Sequence, residues 1–212
     1  MYLQPEINYQ VKRLFTALEY GERLAHDCAH RQACLIKDKG MRRFLLMQSR
    51  HEAFHAKFFR HASSYLGTNH TGKVPASLTL FGNKISAALD RKDIVESIVA
   101  QQIVLEAFGG AILERLNVGL DNKGVGLRKL RRMLLQQEKS HQAFGDEILR
   151  QQLTAGSTTI ETLQTFSREY LQIAENIIIE MSDVFICLDE DPDDYKQDIY
   201  NDLPDWLEVR AK

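Results

Sequence analysis

Only four prolines, Pro5, Pro75, Pro192 and Pro204, occur in 212 residues, so the strongest helix breaker is missing from several long spans. An all-helical reading follows. Cysteine is equally scarce: Cys28, Cys34 and Cys187 are odd in number and lack metal-finger spacing. That excludes a disulfide framework and a zinc finger, and reads as reduced thiols in a cytoplasmic protein. No run approaches eighteen uninterrupted apolar residues, so no membrane span is expected. The first residues also lack the charged and apolar regions of a secretion signal. A net charge of −2 leaves no electrostatic footprint for nucleic acid. The local basic groups Arg42, Arg43 and Arg128, Lys129, Arg131, Arg132 read as solvated helix faces. What remains is ordinary for one globular domain, with 44% hydrophobic and 26% charged residues. A chain of this length buries roughly 70% of its unfolded surface.

The spacing of apolar residues predicts a first helix from about Ile7 to Lys37 and a second from about Met41 to Leu66. Between them, Lys37-Asp38-Lys39-Gly40 is expected to turn, with Gly40 as a left-handed cap. Residues 67–76 read as a loop leading to a short helix near Ser77–Leu89, together a crossover. A third long helix should start at Asp93, where Asp93-x-x-Glu96 matches a capping box, and run to about Val118. Gly119 to Gly126 breaks it, and a fourth helix follows from about Leu127 to Leu153. Another capping pattern, Thr158-x-x-Glu161, opens an extra helix reaching about residue 188. The acidic tail from 189 to 212 is expected as a loop with at most a short helix near Trp206. The expected domain is single, with a bundle over about 7–154, the extra helix over about 157–188 and then the tail.

Two Glu-x-x-His pairs, Glu52-Ala53-Phe54-His55 and Glu138-Lys139-Ser140-His141, lie on apolar stripes of the second and fourth helices. Residues three apart on a helix differ by about 60° in azimuth and ~4.5 Å in height, so both side chains of a pair can reach one metal ion. Two such pairs and two single glutamates form the ligand pattern of dinuclear carboxylate bundles. Hairpin arithmetic supplies the single glutamates. Glu106 and Glu138 are centred on Asn122, inside the glycine-rich break, while Glu22 and Glu52 are centred on Lys37, at the first turn. Each hairpin thus brings one glutamate level with one Glu-x-x-His pair. The candidate ligands are Glu22, Glu52, His55, Glu106, Glu138 and His141. Glu19 competes with Glu22, which lies nearer the stripe of Leu18 and Ala25. Four carboxylates on core stripes need partners, because burying bare charge is costly.

Other residues read differently. His26 and His30 suit outer or surface positions, and His51, His61 and His70 solvent or loops. Gly109 and Gly110, one turn after Glu106, either leave room for a substrate or let helices pack closely. His51-Glu52-Ala53-Phe54-His55 is also a literal zinc-protease signature. That reading needs a third ligand and a sheet edge, and leaves Glu138-x-x-His141 unexplained.

With these motifs in place, the chain resembles the ferritin-like di-iron superfamily, and within it the cyanobacterial aldehyde-deformylating oxygenases. Glu19-Tyr20-Gly21-Glu22 resembles that family's Glu-Gly-Glu region, and Gln102-Ile103-Val104-Leu105-Glu106 its third ligand helix. Glu138-Lys139-Ser140-His141 is similar to its fourth. Glu52-Ala53-Phe54-His55 also resembles rubrerythrins. The likeness spans roughly residues 15–150 and implies an all-α, ferritin-like four-helix bundle with a long crossover and an additional C-terminal helix. It implies the same six ligands and two iron ions, with manganese or a mixed pair compatible with these donors. The implied activity is a dioxygen-activating oxidoreductase acting on a small apolar substrate such as an aldehyde or lipid-like molecule. Electrons would come from an external donor such as a ferredoxin, since no flavin or nicotinamide motif is visible. The competing expectations are peroxide reduction or iron oxidation of the rubrerythrin or ferritin kind, and a non-catalytic metal-stabilised module. A homodimer through helix faces is compatible with the pattern.

Overall fold

A computed structural model describes residues 5–66, 72–122 and 128–207 and, between 116 and 130, the backbone alone. The expected loop residues 67–71, including His70, and the centre of the glycine-rich break, 123–127, lie outside the described residues, as does Leu127. Among the described residues the chain holds no strand. Its helices are α1 (Pro5–Leu35), α2 (Lys39–Tyr65), α3 (Ala76–Asp90), α4 (Ile94–Ile98), α5 (Glu106–Asn122), α6 (Arg128–Thr154), α7 (Ile160–Glu180), α8 (Ser182–Cys187) and α9 (Pro192–Asn201). A π-helical segment, Val99–Leu105, joins α4 to α5.

Contacts between helices fix their directions. Glu19 meets Arg60 and His26 meets Ser49, so α1 and α2 are antiparallel. Glu106 meets His141 and Glu114 meets Lys139, so α5 opposes α6. Gln32 meets Ser97 while Ala25 meets Gln101, so α1 opposes the α4–α5 rod as well. The order is therefore up, down, down, up, and the two parallel neighbours need one long crossover. Helix α3 supplies it, packing on α1 and α7. Ile94–Arg115 is apolar and long enough to cross a bilayer, yet 78% of its most apolar window is buried by the other helices. It is the central rod of the core.

Local chemistry places the ends. Asp38 accepts from the Met41 backbone N–H at 2.8 Å and so starts α2. Gly40 falls inside the first turn of that helix, so it is not the left-handed cap expected of it. That role belongs to Gly156, with φ +67°, just after α6. Asp93 caps α4 as anticipated, through the Glu96 N–H. The extra helix is capped one residue later than expected, by Thr159 on the Thr162 N–H. It also ends sooner, breaking at Met181 into the short α8.

The acidic tail departs most from expectation. Pro192 occupies the first turn of α9, where a missing N–H costs nothing, and Asp191 caps it. Tyr195 and Ile199 bury against α5 and α7, and Arg115 binds Asp194 and Asp198. Trp206 sits on a 3₁₀ turn, Asp205–Leu207, and donates to Asp146 of α6.

Close approach of the central rod to α6 depends on Gly145, where an added Cβ would lie 2.4 Å from the Gln102 Cβ. Gly145→Ala is therefore expected to destabilise the fold by about 1–3 kcal/mol, the range for overpacking a core. Denaturant unfolding of both forms checks this.

Candidate metal centre

The six glutamates and histidines singled out from spacing come together at the middle of the bundle. Glu22 lies on α1, Glu52 and His55 on α2, Glu106 at the start of α5, and Glu138 and His141 on α6. Their donor atoms form two groups. Glu22, Glu52, His55 and Glu138 share one, and Glu52, Glu106 and His141 the other, each within 4.8 Å. Glu52 belongs to both. Glu52, His55, Glu106, Glu138 and His141 are buried, and Glu22 is only partly exposed. Glu19 stays outside, held by Arg60 at 2.8 Å.

Each imidazole is fixed from behind. His55 Nε2 faces the Gln137 carbonyl at 2.8 Å, an acceptor, so this nitrogen carries a hydrogen and Nδ1 points at the carboxylates. Nδ1 stands 3.2 Å from Glu22, 3.1 Å from Glu52 and 3.5 Å from Glu138. His141 repeats the pattern, with Nε2 3.2 Å from His51 Nδ1 and Nδ1 3.0 Å from Glu52 and 3.3 Å from Glu106. His51, expected in solvent, is thus half-buried behind a ligand candidate. It does not join His55 in a zinc-protease arrangement, since neither donor group contains it. His26 binds the Ser49 carbonyl away from the centre, and His30 and His61 are exposed.

The electrostatics are unbalanced without a cation. Burial pushes the carboxyls of Glu22, Glu106 and Glu138 well above their ordinary range, and for each a neighbouring carboxylate adds to it. Burial also pushes His55 down, but Glu22 and Glu52 outweigh it and hold the imidazolium up to about 12. Against its own burial, Glu52 is kept well below the usual carboxylate range by His141 and His55. Both Glu52 oxygens and Glu138 Oε1 are buried without a well-directed hydrogen bond, although imidazole nitrogens lie close to each Glu52 oxygen. Orphaned buried oxygens are rare in folded proteins. Carboxylate oxygens and Nδ1 atoms converging on one point, three of the oxygens without a hydrogen-bond partner, are what a divalent cation requires. The donor set fits two ions, with six protein ligands and Glu52 common to both.

An apolar cavity ends on this cluster. Leu14, Leu18, Gly21 and Ala25 line it along about 16 Å of α1, with Phe108 and Ile112 of α5 opposite. Leu78 of α3, Ile177 of α7 and Met181 just after it close its outer side, so the crossover and the extra helix form a wall of the site. The cavity itself is narrow, about 40 Å³. Gly109 borders it, and an added Cβ there would lie 3.7 Å from Glu138 Oε2, an ordinary contact. Room beside Glu138, rather than close helix packing, is what this glycine provides. Gly110 faces Asp202 instead.

Spacing left several buried polar residues without roles. Gln32, Gln48, Gln101, Gln102 and Ser97 are all fully buried, and Gln48 touches Glu106. Gln48 was visible as a polar residue on an apolar stripe, one turn before Glu52. The partners of the others depend on registers between helices that no single stretch encodes.

No protein-family profile and no curated protein matches the chain. Solved structures do. A protein with aldehyde deformylating oxidase activity from Synechococcus superposes with a TM-score of 0.81, over 100% of this chain and 95% of the other, at 16% identity. An identity that low speaks for architecture alone. The chain has the ferritin-like helical-bundle fold.

Proposed function

We propose that this protein is a di-iron oxidoreductase that activates dioxygen against a small apolar substrate, such as an aldehyde or a lipid-like molecule. The observation that carries the reading is an apolar cavity ending on four carboxylates and two imidazoles, three of whose buried oxygens lack partners. Glu22, Glu52, His55 and Glu138 would hold one ion, and Glu52, Glu106 and His141 the other. Held there, a ferrous pair would supply the redox chemistry that dioxygen activation needs. The chain's own part is to bind, orient and keep dry. Leu14, Leu18 and Phe108 exclude water and hold an apolar chain lengthwise, and Gly109 leaves space where its reactive end meets Glu138. Gln137 and His51 aim the two imidazoles. The activity of the Synechococcus neighbour supports an aldehyde as substrate. Electrons would come from an external donor such as a ferredoxin.

The test is dioxygen uptake by the iron-loaded protein with a chemical reductant and straight-chain aldehydes of graded length. Uptake that rises with aldehyde supports the reading, and hydrogen peroxide turnover with aldehyde-independent uptake contradicts it. Gly109→Leu is expected to lower kcat/KM for the longer aldehydes about tenfold or more while metal content stays unchanged.

A further inference from the structure

Three fully buried glutamines connect Glu106 to the far side of the bundle. Gln48 Nε2 donates to Glu106 Oε1 at 2.7 Å. Gln102 Nε2 donates to Gln48 Oε1 at 3.1 Å and to Gln32 Oε1 at 2.8 Å. Gln32 Nε2 returns a bond to Gln102 Oε1 at 3.1 Å and donates to Ser97 Oγ at 3.3 Å. Ser97 in turn donates to the Ile94 carbonyl at 2.9 Å. The run crosses α1, α2, the α4 helix and the π-helical segment, and all four side chains are at 0% exposure.

The run is anchored at one end by an acceptor only, the Ile94 backbone carbonyl. A serine has one hydrogen to give, and Ser97 gives it to Ile94. Its oxygen then accepts, which turns the Gln32 N–H₂ toward it. Gln32 Oε1 is left to accept from Gln102, and Gln102 keeps an N–H for Gln48 Oε1. Gln48 can then present only its N–H₂ to Glu106. A reversed Gln48 would set its N–H₂ against that of Gln102 and leave both donors facing each other, which buried polar groups do not tolerate.

The geometry points to Gln48 as a positioning residue of the metal centre, oriented at a distance by Gln102, Gln32 and Ser97. It ties Glu106 Oε1 away from the cluster, so only Oε2, 3.3 Å from His141 Nδ1, is left to ligate. Glu106 is thereby a fixed, one-oxygen ligand. Glu52, whose two oxygens have no hydrogen bond, is free to serve both ions. The π-helical segment contributes directly, since Gln102 lies on it and the Glu106 N–H closes its last turn on the Gln101 carbonyl. This inference rests on Glu106 being a metal ligand.

The probe is cobalt(II) alone, titrated into metal-free protein and followed by its visible absorption. The Gln102 side chain hydrogen-bonds to Gln32 and Gln48 and to no ligand candidate, yet Gln102→Leu should weaken the second ion about 10–100-fold and change its absorption band, leaving the first ion unaffected. Gln101 is the control. It is equally buried and adjacent, but its amide bonds the Ala25 carbonyl, so Gln101→Leu should leave both ions as in the wild type. If Gln102→Leu fails to fold, the triple variant Q32L/Q48L/Q102L removes the whole network and leaves no unpaired amide. It should show the same weakened second ion. Two normal ions in Gln102→Leu or the triple variant, or equal weakening in Gln101→Leu, overturns the relay and leaves the metal centre standing. Wild-type protein that binds fewer than two ions overturns the metal centre and the relay together.

Discussion

Glu52→Ala is expected to take metal binding from two ions per chain to none, whereas Glu106→Ala should retain one. The difference follows from sharing. Glu52 is the one side chain whose oxygens serve both donor groups, with Oε1 beside His141 and Oε2 beside His55. Without it each group also loses one of the carboxylates that its imidazole faces. Glu106 contributes to one group alone. Loss of an outer partner already costs about 10–100-fold in metal affinity, and loss of a direct ligand costs more. Elemental analysis after gel filtration from excess ferrous iron reads the stoichiometry. Equal metal content in Glu52→Ala and Glu106→Ala would contradict the shared position of Glu52.

The metal-free protein is expected to lose stability as pH rises from about 5 to 9, and divalent metal should reverse that trend. Glu22, Glu106 and Glu138 hold their protons more tightly when folded than the ordinary value near 4.5. Their contribution is complete below that value and is lost as pH climbs toward the folded pKa values. His55 acts with the same sign, its contribution complete below 6.5 and lost as pH approaches about 12. Glu52 has the opposite sign, because its folded pKa is lowered, but its contribution is complete above 4.5 and changes only in acid. Each proton kept by the folded chain and released by the unfolded one steepens the decline by about 1.4 kcal/mol per pH unit. Metal ions take the place of these protons, so their affinity rises with pH. At a metal concentration 100 times the dissociation constant, each site adds about 2.7 kcal/mol. Urea unfolding at pH 5.5 and 8, with and without manganese, gives all four values. A metal-free protein as stable at pH 8 as at pH 5.5 would contradict the buried cluster.

Residue spacing located the centre because helical hairpins are nearly one-dimensional. Once the turn near Lys37 is placed, Glu22 and Glu52 must be level, and an error of two residues in a helix end barely moves them. Other features depend on a choice between near-equal neighbours. Thr158 and Thr159 can both cap a helix, and a one-residue slip separates the motif from the residue that bonds Thr162. Gly40 resembles a cap, yet Asp38 starts the next helix so soon that no left-handed residue is needed. Pro192 reads as a breaker or as a helix start depending on whether α9 has a surface to cover. That surface, with Arg115 beneath Asp194 and Asp198, comes from a helix about 80 residues earlier. The π-helical segment Val99–Leu105 has no marker in its composition. Its glutamines acquire meaning only when α1 and α2 bring Gln32 and Gln48 against them.

Anomalous diffraction at the iron absorption edge, from crystals of protein loaded anaerobically with ferrous iron, tests the central proposal most directly. The expected result is two iron peaks among Glu22, Glu52, His55, Glu106, Glu138 and His141, with Glu52 in contact with both. A single peak held between His51 and His55, or no peak among these six side chains, would contradict it.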